Sequence, residues 1–181
     1  MMIIMDVNIE AEYEFALTPI TNDNYKVNKH IAEWLHTNME NITDANKNKL
    51  FSKVNYGYNE DTIKGFGKKP VCDVYINNLQ YDSDLTHNIP DKVTSFIICY
   101  LKGNMNNAYL KACELTDYLV QEFNDNESFR RLTLTSTVNN ETVIRNIVSD
   151  TFIRDVQLQI IPSGKTYGVL CAFELEHTLI R

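Results

Sequence analysis

Apolar and polar residues alternate near the start of the chain. Every odd position within residues 7–17 is apolar, and Glu10, Glu12 and Glu14 occupy even positions between them. Successive side chains of a strand point to opposite faces of a sheet, so this period of two predicts a half-buried strand with one acidic face. We therefore expect residues 1–20 to form an N-terminal strand or arm.

Two later segments have the apolar spacing of amphipathic helices. The first begins near residue 24, and the second covers about residues 106–123. The apolar stripe of the first consists of Val27, Ile31, Trp34 and Leu35. The apolar face of the second consists of Ala108, Ala112, Leu115, Leu119 and Phe123. Residues three and four apart lie on one side of a helix, so each segment is expected to pack one face against a core.

Five further segments are typical of strands. They are Val71–Ile76, Val93–Leu101, Leu132–Val138, Val156–Ile160 and Val169–Leu175. Residues 93–101 are apolar on both faces, which favours a central position in the sheet. Residues 38–70 are polar with little periodicity, so we expect a surface excursion there. Residues 139–150 are expected to form a loop or a short helix.

The predicted elements follow the order β-α-β-β-α-β-β-β. The last three strands have no helices between them, whereas parallel strands would need crossover connections. The pattern therefore predicts an α+β fold, in which two helices pack on one face of a mainly antiparallel sheet. Residues 21–181 are expected to form this single domain.

The composition limits the classes of function. The chain has 181 residues, a net charge of −7 and 44% hydrophobic residues, which suits one domain with its own core. The negative charge is expected to repel nucleic acids and anionic membranes. No apolar run approaches the ~20 residues that span a bilayer. Four cysteines without metal or disulfide spacing predict buried free thiols made in a reducing compartment.

The stretch from Lys102 through Gly103 to Asn104 joins a predicted strand to a predicted helix, as a phosphate-binding loop would. Such a loop needs a second glycine, a lysine and then Ser or Thr, so that backbone N–H groups and a hydroxyl meet the phosphates. Only one glycine is present here. Because Gly and Asn tolerate positive φ and are common in tight turns, we expect a plain turn.

Other candidate chemistry is also incomplete. Residues 82–88 alternate oxygen-bearing side chains as a calcium loop does, but the glycine and the glutamate that such a loop needs are missing. The four histidines are scattered without metal-ligand spacing. Glu174 and Glu176 share one strand face and could do acid–base work, although the solvated face of an edge strand is commoner. The sequence therefore predicts no catalytic residue, cofactor or metal.

The polar region before residue 70 combines lysines with aromatic residues. Tyr56, Tyr58 and Phe66 lie in this region. Aromatic side chains are frequent at protein–protein interfaces, so these three are candidates for contact with a partner protein. The alternatives are a binding surface for single-stranded nucleic acid and aromatic residues that only anchor the loop.

Residues from about 24 to 178 resemble the tail terminator family of tailed bacteriophages. The likeness lies in the order and hydrophobic rhythm of the segments, without a specific motif. The segments that carry it are the helix at 28–35, the strand at 70–76, the polar loop at 82–90, the strand at 95–101 and the helix at 108–120.

This resemblance implies a homohexameric ring that caps the tail tube. Its partners would be copies of the chain, the tail tube protein and a neck or head-completion protein, and DNA would pass through the lumen without sequence recognition. The protein would be made in the host cytoplasm and located in the virion, with no membrane partner. Glu10, Glu12 and Glu14 become candidates for a subunit contact or for lining the lumen, against the alternative of a solvated strand face.

Two other functions are open at this point. A head-completion or neck connector protein would share the small α+β form and the ring symmetry, but it would bind the portal. A small enzyme of unknown type would need a concave pocket with convergent polar groups, which the sequence does not predict.

Overall fold

The fold is known from a computed structural model. It describes residues 26–57, 69–81, 90–138, 141–163 and 166–180. The predicted N-terminal strand, with Glu10, Glu12 and Glu14, lies outside these described residues, as do Tyr58 and Phe66.

The described elements form one mixed sheet and three helices. The helices are α1 (Val27–Asn41), α2 (Met105–Asp125) and the one-turn α3 (Glu127–Arg130). The strands are β1 (Lys53–Tyr56), β2 (Val71–Gln80), β3 (Lys92–Gly103), β4 (Leu132–Val138), β5 (Glu141–Ser163) and β6 (Thr166–Leu179). The strand order is β1-β2-β3-β6-β5-β4. Only β1 and β2 pair in parallel among the described strands, which confirms the α+β class with a mainly antiparallel sheet.

Helices α1 and α2 pack on the same face of the sheet. Trp34 of α1 makes an edge contact with His177, and Phe123 of α2 makes one with Phe173, with ring centroids 5.6 Å and 5.4 Å apart. His177 and Phe173 both occupy odd positions of β6, and alternate residues of a strand share one face. The main core therefore lies between this face and the two helices, as the sequence predicts.

Helix α2 matches its prediction closely. All five residues of its predicted apolar face are buried. The turn at Gly103 and Asn104, which precedes α2, was expected to use positive φ. Among the described residues, positive φ occurs at Lys47 and Gly57 instead. Asn104 instead acts as the N-cap, and its side chain accepts a hydrogen bond from the Asn107 backbone N–H at 3.0 Å.

Two predictions about irregular regions are wrong. Part of the expected surface excursion forms β1, and Phe51 and Val54 in that region are buried in the core. Residues 141–150, expected as loop or short helix, belong to the 23-residue strand β5. Register shifts at residues 132–133 and 148–150 interrupt the pairing there, so the period of two that marks a strand is lost.

Candidate assembly surface

Strand β5 has an open edge over more than half of its length. On one side it pairs with β6 from Val148 to Ser163. On its other side β4 pairs only with residues from Glu141 to Val148. Within the described part of the chain, residues 150–163 therefore have a strand neighbour on one side alone, and we call this stretch the open edge.

The middle of the open edge lacks the usual protection of edge strands. Natural edges are commonly blocked by bulges, prolines or lysines. A register shift between Ile153 and Asp155 and the proline at residue 162 bracket a regular stretch, Asp155–Ile161, that contains none of these. Leu158 and Ile160 within this stretch are 37% and 40% exposed.

An apolar groove lies beside the open edge, on the face that carries the helices. Leu158 and Ile160 pair with Cys171 and Val169 at odd positions of β6, so their side chains point to the same face as α2. The groove has a volume of about 440 Å³. Its lining consists of Met105, Asn106, Tyr109, Leu110 and Ile160, and we call it the α2–β5 groove.

The hairpin of β4 and the first part of β5 extends beyond the main sheet. β6 pairs with β5 only from Val148 onwards, so residues 133–138 and 141–146 form a two-stranded ribbon. Ile144 in this ribbon is 66% exposed. A two-stranded hairpin is marginally stable alone in water, so this ribbon depends on its junction with the sheet or on a neighbouring surface.

Tyr56 lies at the opposite end of the sheet from the open edge. Its ring is 57% exposed and stacks on His36, with centroids 4.0 Å apart and planes 9° apart. The Nε2–H of His36 donates to the carbonyl of Val54 at 3.1 Å, which fixes the imidazole under the tyrosine. Desolvation, with added repulsion from Glu33 and Glu40, raises the pKa of the Tyr56 hydroxyl. One ring face is thus held in place while the other can meet a partner.

A serine–histidine pair occurs in the structure, but it is enclosed in the core. Ser95 Oγ lies 2.7 Å from Nε2 of His177, and Thr151 Oγ1 lies 2.9 Å from Nδ1. Because the Thr151 hydroxyl donates its proton to the carbonyl of Arg130 at 3.3 Å, it accepts from Nδ1–H, and Nε2 accepts from Ser95. Burial lowers the pKa of His177 to about 3.

The burial of this cluster indicates a structural role. Ser95 and His177 are both 0% exposed, so a substrate cannot reach the serine hydroxyl in this conformation. A nucleophile and its base need access to the reacting group in addition to their mutual hydrogen bond. The sequence places His177 at the end of the last strand, and in the structure the indole of Trp34 in α1 lies against its ring.

The two glutamates considered for acid–base work lie in a different setting from the expected one. They belong to β6, which is an interior strand of the sheet, so the expected edge position is wrong. Lys92 Nζ contacts Glu176 Oε1 at 2.7 Å. Arg154 Nη1 lies 3.5 Å from Glu174 and 3.7 Å from Glu176. Each carboxylate therefore has at least one cation within 4 Å, and the two glutamates belong to a network of ion pairs.

A second cavity, of about 750 Å³, lies between α1, α3, β4 and β5. Its polar lining is already paired. Trp34 Nε1–H and the Asn38 amide both donate to the carbonyl of Ser128, at 2.8 Å and 2.6 Å. Arg131 pairs with Glu127 at 3.2 Å. These contacts hold α1 and α3 together and leave few groups directed at a ligand.

The thiols and possible metal ligands add no further chemistry within the described residues. Cys72, Cys99 and Cys171 are buried and Cys113 is half-buried, all as free cysteines. Burial raises the pKa of Cys99 and raises that of Cys171 to about 12, which keeps both thiols protonated. In the described ranges, three or more His, Cys, Asp or Glu side chains never come together as a metal site would require. Nor does any described helix have the length and apolar character to cross a membrane.

Comparison with protein-family models and with curated proteins found no match to this chain. Of the six interface candidates from the sequence, Tyr56 is the one that lies within the described residues, and it is on an exposed surface. The open edge and the α2–β5 groove were missed by sequence reasoning. The apolar residues of β5 are the sequence feature that could have indicated this surface. The same residues, however, predict an ordinary half-buried strand.

Proposed function

We propose that this protein is a structural subunit that joins copies of itself into a closed ring and ends the tail tube of a bacteriophage. The observation that carries the self-association is the open edge of β5. An unpaired strand offers a row of backbone N–H and C=O groups, and a neighbouring chain can extend the sheet by pairing with them. The more specific proposal, a tail terminator, rests in addition on the resemblance of this chain to that family in the order of its segments.

The two ends of the sheet favour head-to-tail contacts. One end has the short strand β1 with the exposed ring of Tyr56, and the other has the long open edge with its apolar groove. Unlike surfaces that meet head to tail generate a ring when the rotation between copies closes. Six copies is the number that the resemblance implies, and we adopt it for the proposed ring.

The net charge supports passage of DNA through such a ring. The chain carries −7, so six copies present a strongly acidic assembly. A polyanion is repelled by a lumen of its own sign and passes without adhering to it. In this proposal the protein meets the tail tube protein on one side and a neck protein on the other, and it is part of the virion.

The buried polar cluster supports a role without catalysis. The serine–histidine pair of the described residues is enclosed, and the polar lining of the larger cavity is paired internally. What the described surface offers instead is exposed apolar side chains beside a strand edge. Such surfaces mark interaction sites on soluble proteins.

The proposal is tested by the mass of the purified full-length protein and of two matched variants. The edge variant carries Leu158→Lys and Ile160→Lys, because lysine on an edge strand opposes pairing. The control is Ile180→Lys, since Ile180 is 43% exposed and Ile160 is 40% exposed, but Ile180 follows β6 and lies outside the open edge. Native mass spectrometry should find six copies of 21.0 kDa for wild type and control, and monomers for the edge variant.

A second measurement concerns location. Electron microscopy of assembled particles should place a ring of this chain at the end of the tail tube. A wild-type protein that stays monomeric at high concentration and in particles would end the ring proposal. A ring seated against the portal instead would assign the protein to the head-completion connectors.

A further inference from the structure

The open edge and the α2–β5 groove form a composite surface with two kinds of attraction. The edge offers backbone hydrogen bonds along Asp155–Ile161. The groove offers apolar contacts from Met105, Tyr109 and Leu110, which are exposed beside that edge. A segment that satisfies both must be extended, because only a strand can pair with a strand edge while its alternate side chains enter a groove.

The two faces of the sheet also define the side chains of that segment. On the helix side it would meet the groove and the exposed side chains of Leu158 and Ile160, so its residues there should be apolar. On the other side it would lie beside Gln157 and Gln159, which are exposed, and near the cation of Arg154. The outward residues should therefore be polar.

One segment of this chain has that pattern. Residues 7–17 are apolar at every odd position, and glutamate occupies three of the even positions. The segment has eleven residues, enough to cover the seven of Asp155–Ile161. It lies outside the described residues, so its strand character is the prediction from the sequence. An amphipathic strand of this kind needs an edge to pair with, since a single strand is not stable alone.

We infer that the open edge and the α2–β5 groove of one copy bind the N-terminal segment, residues 7–17, of a second copy as an added strand. The inference rests on the proposed ring, because a copy that filled its own groove would close the long edge and leave it unavailable to a neighbour. Exchange of this segment makes each contact asymmetric, with a donor strand on one copy and an acceptor edge on the next. Asymmetric contacts of this type are the ones that close into rings.

The test uses two full-length variants with complementary defects. The donor variant carries Tyr13→Asp and Phe15→Asp in the N-terminal segment and keeps an intact edge. The acceptor variant is the edge variant, Leu158→Lys with Ile160→Lys, and keeps an intact N-terminal segment. Each variant alone should be monomeric. An equimolar mixture should form a heterodimer of two 21.0 kDa chains and nothing larger, because it contains one working donor and one working edge.

Hydrogen exchange provides the second readout. In the heterodimer the backbone amides of residues 155–161 that point to the open edge should exchange at least about tenfold more slowly than in the donor variant alone, because a new strand bonds them; the alternate amides already face β6. A control donor carrying Asn8→Gln, a polar position of the same segment, should assemble as wild type does.

The outcomes separate this inference from the proposed function. If wild type forms a ring but the mixture stays monomeric, the exchange of residues 7–17 is wrong and the ring stands. If wild type is monomeric and its residues 155–161 are protected only while the donor segment is intact, the segment fills its own groove. That result would overturn both the exchange and the ring.

Discussion

The imidazole of His177 lies edge-on against the indole of Trp34, with ring centroids 5.6 Å apart and planes at 70°. This contact joins α1 to an interior strand of the sheet. Behind it, both ring nitrogens of His177 are hydrogen-bonded to the hydroxyls of Ser95 and Thr151. A histidine that is fully buried and satisfied in this way is a component of the core, and its removal should be measurable as lost stability.

We predict that His177→Leu lowers the free energy of unfolding by about 2–4 kcal/mol, because the Ser95 and Thr151 hydroxyls lose their partner inside the core. Urea denaturation of monomeric protein measures the change. A triple variant with His177→Leu, Ser95→Ala and Thr151→Val should recover about half of the loss, since it removes the unsatisfied groups as well. Equal stability of the single variant and wild type would contradict this account.

The same histidine predicts a pH dependence of stability. Its pKa is about 3 in the folded protein, against 6.5 for an ordinary histidine, so the unfolded chain binds the proton more readily. Stability is therefore fully present above pH 6.5 and decreases as the pH falls from 6.5 towards 3. By linkage, this single group removes about 2 kcal/mol between pH 7 and pH 5.

His177→Gln is the matched variant for that measurement, because glutamine keeps a polar group and does not titrate. Both proteins share the contribution of their carboxylates, so the difference between their urea curves at pH 7 and pH 5 isolates the imidazole. Wild type should lose about 2 kcal/mol more than the variant over this interval. Parallel losses would show that His177 is accessible to protons in the folded state.

The sequence predicted those parts of the fold in which the burial of a helix or strand follows from the pattern of its own residues. α2 packs one face on the sheet over its whole length, so its buried residues follow the helical period, and all five were identified. β3, whose sequence is apolar on both faces, lies in the interior of the sheet between β2 and β6 as predicted. These signals are local and uninterrupted.

The open edge could not be predicted because it depends on where one strand stops relative to another. β4 begins at Leu132, which pairs with Val148, so no residue of β4 lies beside the part of β5 that follows Val148. A register shift at that point removes the alternation that would have marked residues 141–150 as strand. Similarly, the sequence places His177 at the end of a strand, but it does not show the contact of its ring with Trp34 of α1, which is distant along the chain.

Backbone conformation provides a further prediction at Gly57, whose φ is +74°. A Cβ added there would meet no atom within 4 Å, so Gly57→Ala tests conformational strain without a clash. We expect a loss of about 1 kcal/mol from the left-handed conformation. Gly103→Ala is the control, because its Cβ would make an ordinary contact with the Ala108 side chain at 3.5 Å and its φ is not positive. Thermal denaturation should show a decrease for the first variant and no decrease for the second.

The acidic face of the N-terminal segment gives the last prediction. If residues 7–17 add a strand beside β5, then Glu10, Glu12 and Glu14 face the same side as Arg154, which is 54% exposed. Changing the three glutamates to lysine should weaken assembly and leave the unfolding free energy of the monomer unchanged. The repulsion acts between exposed charges, so the weakening should be larger at low salt than at 0.5 M salt, where the Debye length falls to about 4 Å.

Arg154→Glu is the compensating change for that experiment. Combined with the three lysines it restores opposite charges across the added strand, and assembly at low salt should recover at least in part. The three glutamates changed to glutamine serve as the neutral control and should assemble more strongly than the lysine variant. Reversing charges that face each other at a shared edge should change assembly. If the three lysines leave assembly unchanged at every salt concentration, Glu10, Glu12 and Glu14 therefore belong to a solvated face outside the contact.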